Sequence, residues 1–152
     1  MSHQRITIWG NSGSGKSTLA ESVGRELRLP IFHLDLIAWE AGWQFRDESA
    51  FLAEQHGWLT QPCWIIEGVG GWRGLVERFL HADLIVHLDT PLALCQERAM
   101  LRIAEDRVTK NRFMADGCKY GDVGDLQVEV IRQFEGKVRS DIERFLATEF
   151  AT

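Results

Sequence analysis

Four short apolar runs punctuate the chain, at Arg5–Trp9, Ile31–Leu34, Trp64–Ile66 and Leu84–Leu88, with breaks such as Pro30, Pro62 and Pro91 beside them. Their length, branching and flanking breaks mark them as buried strands. Between them the apolar positions take a helical spacing, which predicts helices at about Lys16–Leu27, Glu48–Leu59, Trp72–Leu80 and Leu92–Ile103. Thr90 is a ready cap for the last of these, and Pro91 suits its first turn. Alternation of this kind predicts βα units feeding a parallel sheet with helices on both faces, a three-layer α/β/α fold.

Beyond Ile103 the pattern loosens. Glu105–Asp125 is polar, contains Gly117, Gly121 and Gly124, and keeps no period, so a mobile, lid-like segment is expected at about 104–125. From Leu126 onward, Val128, Ile131, Phe134, Val138, Ile142, Phe145 and Leu146 recur at three or four residues. That spacing predicts an amphipathic helix, or a helix pair broken near Gly136. No fifth strand is legible. With 152 residues and 45% hydrophobic content, residues 1–152 are expected to form a single domain.

The sharpest chemical signal follows the first strand. Gly10, Asn11, Ser12, Gly13, Ser14, Gly15, Lys16, Ser17 and Thr18 fit G-x-x-x-x-G-K-[ST], with a β-branched strand before and a helical run after. In such a loop glycines let backbone N–H groups turn toward phosphates, and the new helix adds its positive N-terminal end. Lys16 would reach the β- and γ-phosphates and Ser17 would offer its hydroxyl to Mg²⁺. The expected ligand is therefore ATP with Mg²⁺. The plainer alternative is a Gly/Ser turn that only joins strand to helix.

With the loop stand Leu29-Pro30-Ile31-Phe32-His33-Leu34-Asp35 followed by Trp39 and Trp43, then Trp64-Ile65-Ile66-Glu67-Gly68, then Leu88-Asp89-Thr90-Pro91 followed by Arg98 and Arg102. In this order and spacing, over roughly residues 5 to 102, the chain resembles the adenylate-kinase-like branch of P-loop kinases. It is most similar there to the small bacterial proteins called DNA topology modulation proteins, which look like kinases. The resemblance implies a sheet in the order 2-3-1-4, nucleotide at the carboxyl ends of the strands, and phosphoryl transfer. It also implies that Arg98 matches a lid arginine stacked on adenine and Arg102 one that contacts the transferred phosphate. The family usually has Asp where this chain has Glu67, and usually closes its sheet with a fifth strand.

On chemistry alone, Asp35 falls at the carboxyl end of the second strand, where open parallel sheets place ligands. A carboxylate there can orient an acceptor hydroxyl and take its proton; the alternative is a cap for a turn at Leu36–Ala38. Glu67, just past the third strand, can hold Mg²⁺ through a water, or act as a salt-bridge or helix-entry charge. Arg98 and Arg102 share a helix face and can converge on one anion, or form a solvated face with Glu97 and Glu105. Asp89 reads first as structural. Of six tryptophans, Trp9 and Trp64 are expected in the core, whereas Trp39, Trp43 and Trp72 follow strand ends on the acceptor side, where each either stacks on a flat substrate ring or packs into the core.

A nucleoside monophosphate brings its own ionised nucleophile and needs arginines rather than a base. Asp35 and Glu67 in the acceptor crevice therefore favour a hydroxyl-bearing small molecule. The alternative is a nucleoside monophosphate kinase with Arg46, Arg73 and Arg78 as its clamp. A non-catalytic nucleotide switch or DNA-associated ATPase is a rival of another class, but a net charge of −5 argues against nucleic acid as main partner. From Arg98 to Lys119, however, six Lys/Arg stand against three acids, a local excess suited to a small anion. Three widely spaced cysteines and five histidines without i, i+4 pairing predict neither disulfides nor a histidine metal site. Neither a signal core nor an apolar span of ~20 residues is present, so a cytoplasmic, non-membrane protein is expected; its oligomeric state is open. Lys16→Ala should sharply weaken ATP binding in calorimetry; unchanged affinity would remove the loop assignment.

Overall fold

The computed structural model describes residues 4–106, 108–109 and 111–150. In chain order it contains β1 (Arg5–Gly10), α1 (Lys16–Leu27), β2 (Ile31–His33), the one-turn α2 (Asp35–Ala38), β3 (Trp39–Glu40), β4 (Gln44–Phe45), α3 (Glu48–Leu59), β5 (Trp64–Glu67), α4 (Trp72–His81), β6 (Leu84–Leu88) and α5 (Leu92–Asp106). A 3₁₀ turn at Tyr120–Asp122 leads to α6 (Gly124–Gln133), a π-helical turn at Phe134–Val138 and α7 (Arg139–Glu149).

Four strands form one parallel sheet in the order β2-β5-β1-β6. Numbered by their sequence among these four, that is the 2-3-1-4 order the resemblance implies. Among the described residues no fifth strand joins this sheet. The register puts Ile8 beside Glu67, His33 beside Glu67 and Gly10 beside Leu88. The β2, β5, β1 and β6 carboxyl ends therefore open onto one edge.

Side-chain alternation along the strands divides the core between two faces. Ile6, Ile8 and Ile65 pack with Ala20 of α1, whereas Trp64 and Ile66 pack with Phe51 and Leu59 of α3. On that same side of β1, Trp9 meets Leu75 and Phe79 of α4 together with Phe134 and Ile142 from the C-terminal helices. All four residues of β5 are buried, as expected of an interior strand in a parallel sheet covered on both faces. Trp9 and Trp64 are core residues, as their strand positions suggested.

Two local features depart from the periodic pattern. β3 and β4 form a small antiparallel hairpin, pairing Trp39 with Phe45 and Glu40 with Gln44. Two-residue strands are too short to show a period, and the turn needs positive φ at Gly42 (77°) and at Trp43 (61°), where sequence offers no glycine. Near Gly136 the helical path continues through the π turn rather than breaking. Arg139, just beyond it, clamps Asp89 with both guanidinium nitrogens, at 2.6 and 3.0 Å. This pair fastens the C-terminal helices to the end of β6 and gives Asp89 its structural role.

Phe79 is fully buried between Trp9 and Phe145. Phe79→Ala should lower unfolding free energy by about 3–5 kcal/mol, read as a reduced midpoint in urea. A midpoint unchanged within error would show that the α4 layer does not support the sheet.

Candidate active site

Between β1 and α1 the loop turns back on itself with Gly13 at φ 78° and Gly15 at φ 99°. The loop is also tightly seated. A Cβ on Gly13 would lie 2.5 Å from the Cys95 carbonyl oxygen of α5, and one on Gly10 2.7 Å from that of Leu88. The Thr90 hydroxyl donates to the Ser14 carbonyl at 2.9 Å, so this residue at the start of α5 holds the loop. From the other side Gln127 Nε2 donates to Ser12 Oγ at 2.6 Å, and Asn11 Nδ2 donates to the Ile131 carbonyl at 2.8 Å. The C-terminal helix α6 thus steadies a loop more than a hundred residues earlier.

The loop floors a cavity of about 1390 Å³ along the carboxyl edge of the sheet. All nine residues from Gly10 to Thr18 line it, as do Asp35, Glu67, Arg98 and Arg102. A typical small-molecule pocket is ~300–1,000 Å³, so this cavity is larger than most.

Glu67 is the last residue of β5 and is buried. Its Oε1 accepts from Ser17 Oγ at 2.9 Å and stands 2.7 Å from His33 Nδ1. Burial acts to raise this carboxyl, but the His33 hydrogen bond and the Lys16 charge outweigh it and hold it below the ordinary value. The charged form of Glu67 is thus favoured beside the loop serine. A hydroxyl and a carboxylate are hard oxygen donors of the kind Mg²⁺ takes alongside nucleotide phosphates, so Ser17 and Glu67 fit that ion. No cluster of three His, Cys, Asp or Glu among the described residues could hold a metal without such help.

Lys16 donates to the Asn11 carbonyl at 2.7 Å. Burial lowers its ammonium from the ordinary value, against the pull of Glu67 and Asp35. Asp35 opens α2, whose cap position is occupied by Leu34 and has no side-chain cap bond. Asp35 instead lines the cavity, close to Lys16 and Glu67. Burial first, and then Glu67, push it above the ordinary carboxylate range, with Lys16 opposing.

Arg98 lies against the loop, with Nη1 3.3 Å from both the Gly13 and Ser14 carbonyl oxygens. Arg102, one turn on, donates to the Tyr120 hydroxyl at 3.1 Å and sits 4.9 Å from that ring's centroid. Burial pushes Tyr120 up to about 12, so the phenol stays protonated. Between α5 and α6, Met114, Ala115, Cys118 and Tyr120 are buried against Ile103, Trp39 and Trp43. The Gly42 N–H donates to the Gly117 carbonyl at 3.1 Å, joining this segment to the β3–β4 hairpin.

Several sequence expectations need correction. Arg46, Arg73 and Arg78 do not line the cavity. Arg46 pairs with Glu54, and Arg73 with Glu48 at 3.2 Å. Arg78 is fully buried, donating to Gln55 and to the Gly68 and Val69 carbonyls. α4 turns Arg78 inward, and surface carboxylates pair with the other two. Trp72 also lies away from the acceptor side, half exposed and edge-on to Phe145 of α7. The sequence reading missed His33, Tyr120 and Gln127. His33 was accessible in principle through its parallel register with Glu67; Tyr120 and Gln127 reach the site only through tertiary packing.

Strand order, loop and cavity together give the chain the fold of the P-loop kinases. Among solved structures it is similar to a shikimate kinase from Bacteroides thetaiotaomicron, with TM-score 0.56 and 18% identity over 89% of this chain and 81% of that one. It is also similar to a gluconokinase from Sinorhizobium meliloti 1021, with TM-score 0.51 and 16% identity over 91% of this chain and 97% of that one. No family model and no curated protein matches the sequence. No helix among the described residues is long and apolar enough to cross a membrane.

The raised Asp35 carboxyl has a consequence for stability. Because the folded-state value lies above the unfolded one, its charge costs nothing below the unfolded value. The cost grows as pH rises and is complete above the folded-state value. Asp35→Asn should therefore raise Tm near neutral pH, with the gain disappearing below the ordinary carboxylate range. An equal Tm change at both extremes would mean that the carboxylate charge is not strained by its site.

Proposed function

We propose that the protein is a kinase that transfers the γ-phosphoryl group of Mg·ATP to the hydroxyl of a small molecule. The observation that carries this reading is Asp35: a carboxyl with a raised pKa, lining the cavity that the phosphate loop floors, and coupled to both Lys16 and Glu67. A base so placed serves a neutral alcohol, whereas an ionised phosphate acceptor has no need of it. The dispersal of Arg46, Arg73 and Arg78 to other partners weighs against a nucleoside monophosphate. The closer likeness to DNA topology modulation proteins rests on the sequence segments alone.

In this reading the loop amides and Lys16 hold the β- and γ-phosphates, and Thr18 follows at the start of α1. Ser17 would hold Mg²⁺ directly and Glu67 through a water, and the ion would supply positive charge to the phosphates. Asp35 orients the acceptor hydroxyl and takes its proton as the oxygen attacks the γ-phosphorus. The bond to the β–γ bridging oxygen breaks and ADP leaves with that electron pair. Arg102 offsets the charge on the moving phosphoryl group, while Arg98 stays with the loop and the nucleotide.

We read residues 1–152 as one domain and about 104–125 as its lid, resting on the β3–β4 hairpin. A reducing, cytoplasmic setting is part of this reading, on the odd number and wide spacing of Cys63, Cys95 and Cys118 in the sequence.

Mass spectrometry of a metabolite pool incubated with protein and Mg·ATP should reveal an alcohol that gains one phosphoryl group. Gain only on monophosphates would reverse the choice of acceptor. Arg102→Ala should reduce turnover by ~10³ or more, the scale of an arginine that stabilises transition-state charge, with ATP affinity little changed. Equal turnover in variant and parent would remove Arg102 from the chemistry.

A further inference from the structure

Five rings line the cavity that Asp35 also lines: Trp39, Trp43, Phe45, Phe113 and Tyr120. Trp39 is edge-on to Trp43 at 5.6 Å and to Phe45 at 5.4 Å between centroids. Phe45 is 43% exposed although it is a large apolar side chain. An exposed phenyl ring on a cavity wall is surface that a ligand can cover.

Two polar atoms of this wall already have partners. Trp43 Nε1 donates to the Lys119 carbonyl at 3.0 Å, and the Tyr120 hydroxyl accepts from Arg102 at 3.1 Å. Beside these atoms the rings offer the cavity aromatic carbon. The cations are also engaged among the described residues. Arg98 is on loop carbonyls, Arg102 on Tyr120, and Arg112 pairs with Glu21 at 2.6 Å.

A carboxylate or phosphate acceptor would have to compete with the transferred phosphoryl group and Tyr120 for Arg102, and with Glu21 for Arg112, which is costly. A polyol lacking a ring face would leave hydroxyls unsatisfied against aromatic carbon. A flat, uncharged ring meets neither penalty and gains stacking on the wall. Building on the kinase reading above, we infer that the acceptor is an uncharged alcohol bearing a planar ring, chemically a nucleoside. The ring lies among Trp39, Trp43 and Phe45 and the hydroxyl is turned to Asp35. The transfer is the one already written: ATP loses its γ-phosphoryl group to that hydroxyl, the proton goes to Asp35, and ADP leaves.

The test compares adenosine, uridine and thymidine with ribose, gluconate and adenosine monophosphate as acceptors, with Mg·ATP as donor. At least one nucleoside should be phosphorylated with kcat/KM about tenfold or more above ribose and gluconate. Trp43→Leu and Phe45→Leu should each raise that nucleoside's KM by about tenfold, with kcat and the ATP KM little changed. Trp43→Phe, which keeps a ring but loses the N–H, should recover most of the affinity. Equal or better use of ribose, gluconate or the monophosphate overturns the planar-ring assignment. So does a Trp43→Phe variant as impaired as Trp43→Leu.

Binding is read separately by saturation-transfer NMR on the same nucleosides. Saturation of base protons by the parent protein, reduced in Phe45→Leu, is expected. Its absence for all three overturns the ring subsite, whatever the kinase assay shows. Ring saturation without phosphoryl transfer to any acceptor would overturn the kinase reading and leave the ring subsite standing.

Discussion

The parallel register of β1, β5 and β2 is the constraint on which the site depends. Pairing Ile8 with Glu67 and His33 with Glu67 brings the phosphate loop, a buried carboxylate and an imidazole to one edge, although they lie far apart in sequence. A slip of one residue would turn Glu67 to the opposite face of the sheet and break its bonds to Ser17 and His33. Such a slip would also expose Ile66 and Trp64 from the α3 side of the core. The burial of β5 on both faces therefore guards the geometry of the site, since its apolar neighbours can be satisfied in only one register.

Around this frame the molecule accepts a concentration of charge that does not favour stability. Lys16, Asp35 and Glu67 lie within each other's fields, and burial acts against the charged form of all three. Mutual attraction between Lys16 and the carboxylates offsets part of that, and His33 and Ser17 supply hydrogen bonds to Glu67. Asp35 receives less help and is the group left raised. Strain of this kind at a cavity, with compensation elsewhere, is how function and stability are commonly balanced. The compensation here includes the aromatic packing of Trp9, Phe79 and Phe134 and the clamp of Arg139 on Asp89.

The C-terminal helices contribute more than a cover for the sheet. Gln127 and the Ile131 carbonyl hold Ser12 and Asn11, while Thr90 and the Cys95 backbone confine the loop from α5. The π turn lets one helical path serve both ends. Its first half faces the loop, and its second half, from Arg139, reaches the end of β6. Single-turn π insertions are often found where a helix must redirect side chains toward a site.

Much of this was legible in the chain because local rules govern it. The four sheet strands and the four helices between Lys16 and Ile103 were read within a few residues, since buried strands and amphipathic helices write their periods directly into sequence. The phosphate loop was legible because its glycines, lysine and serine answer to backbone geometry over nine residues. Asp35, Glu67, Arg98 and Arg102 could be nominated from their places after strands or on one helix face. The partners of those groups could not. Only the folded structure joined His33 and Ser17 to Glu67, Tyr120 to Arg102 and Gln127 to Ser12. It also turned Arg78 into the core and Trp72 away from the cavity. Periodicity states which face of an element is apolar, but not which distant face will meet it. The sequence by itself thus determined a parallel α/β fold with a glycine-rich loop at its first turn; tertiary packing decided which rings and charges face the cavity, because those choices depend on contacts between segments that no local pattern encodes.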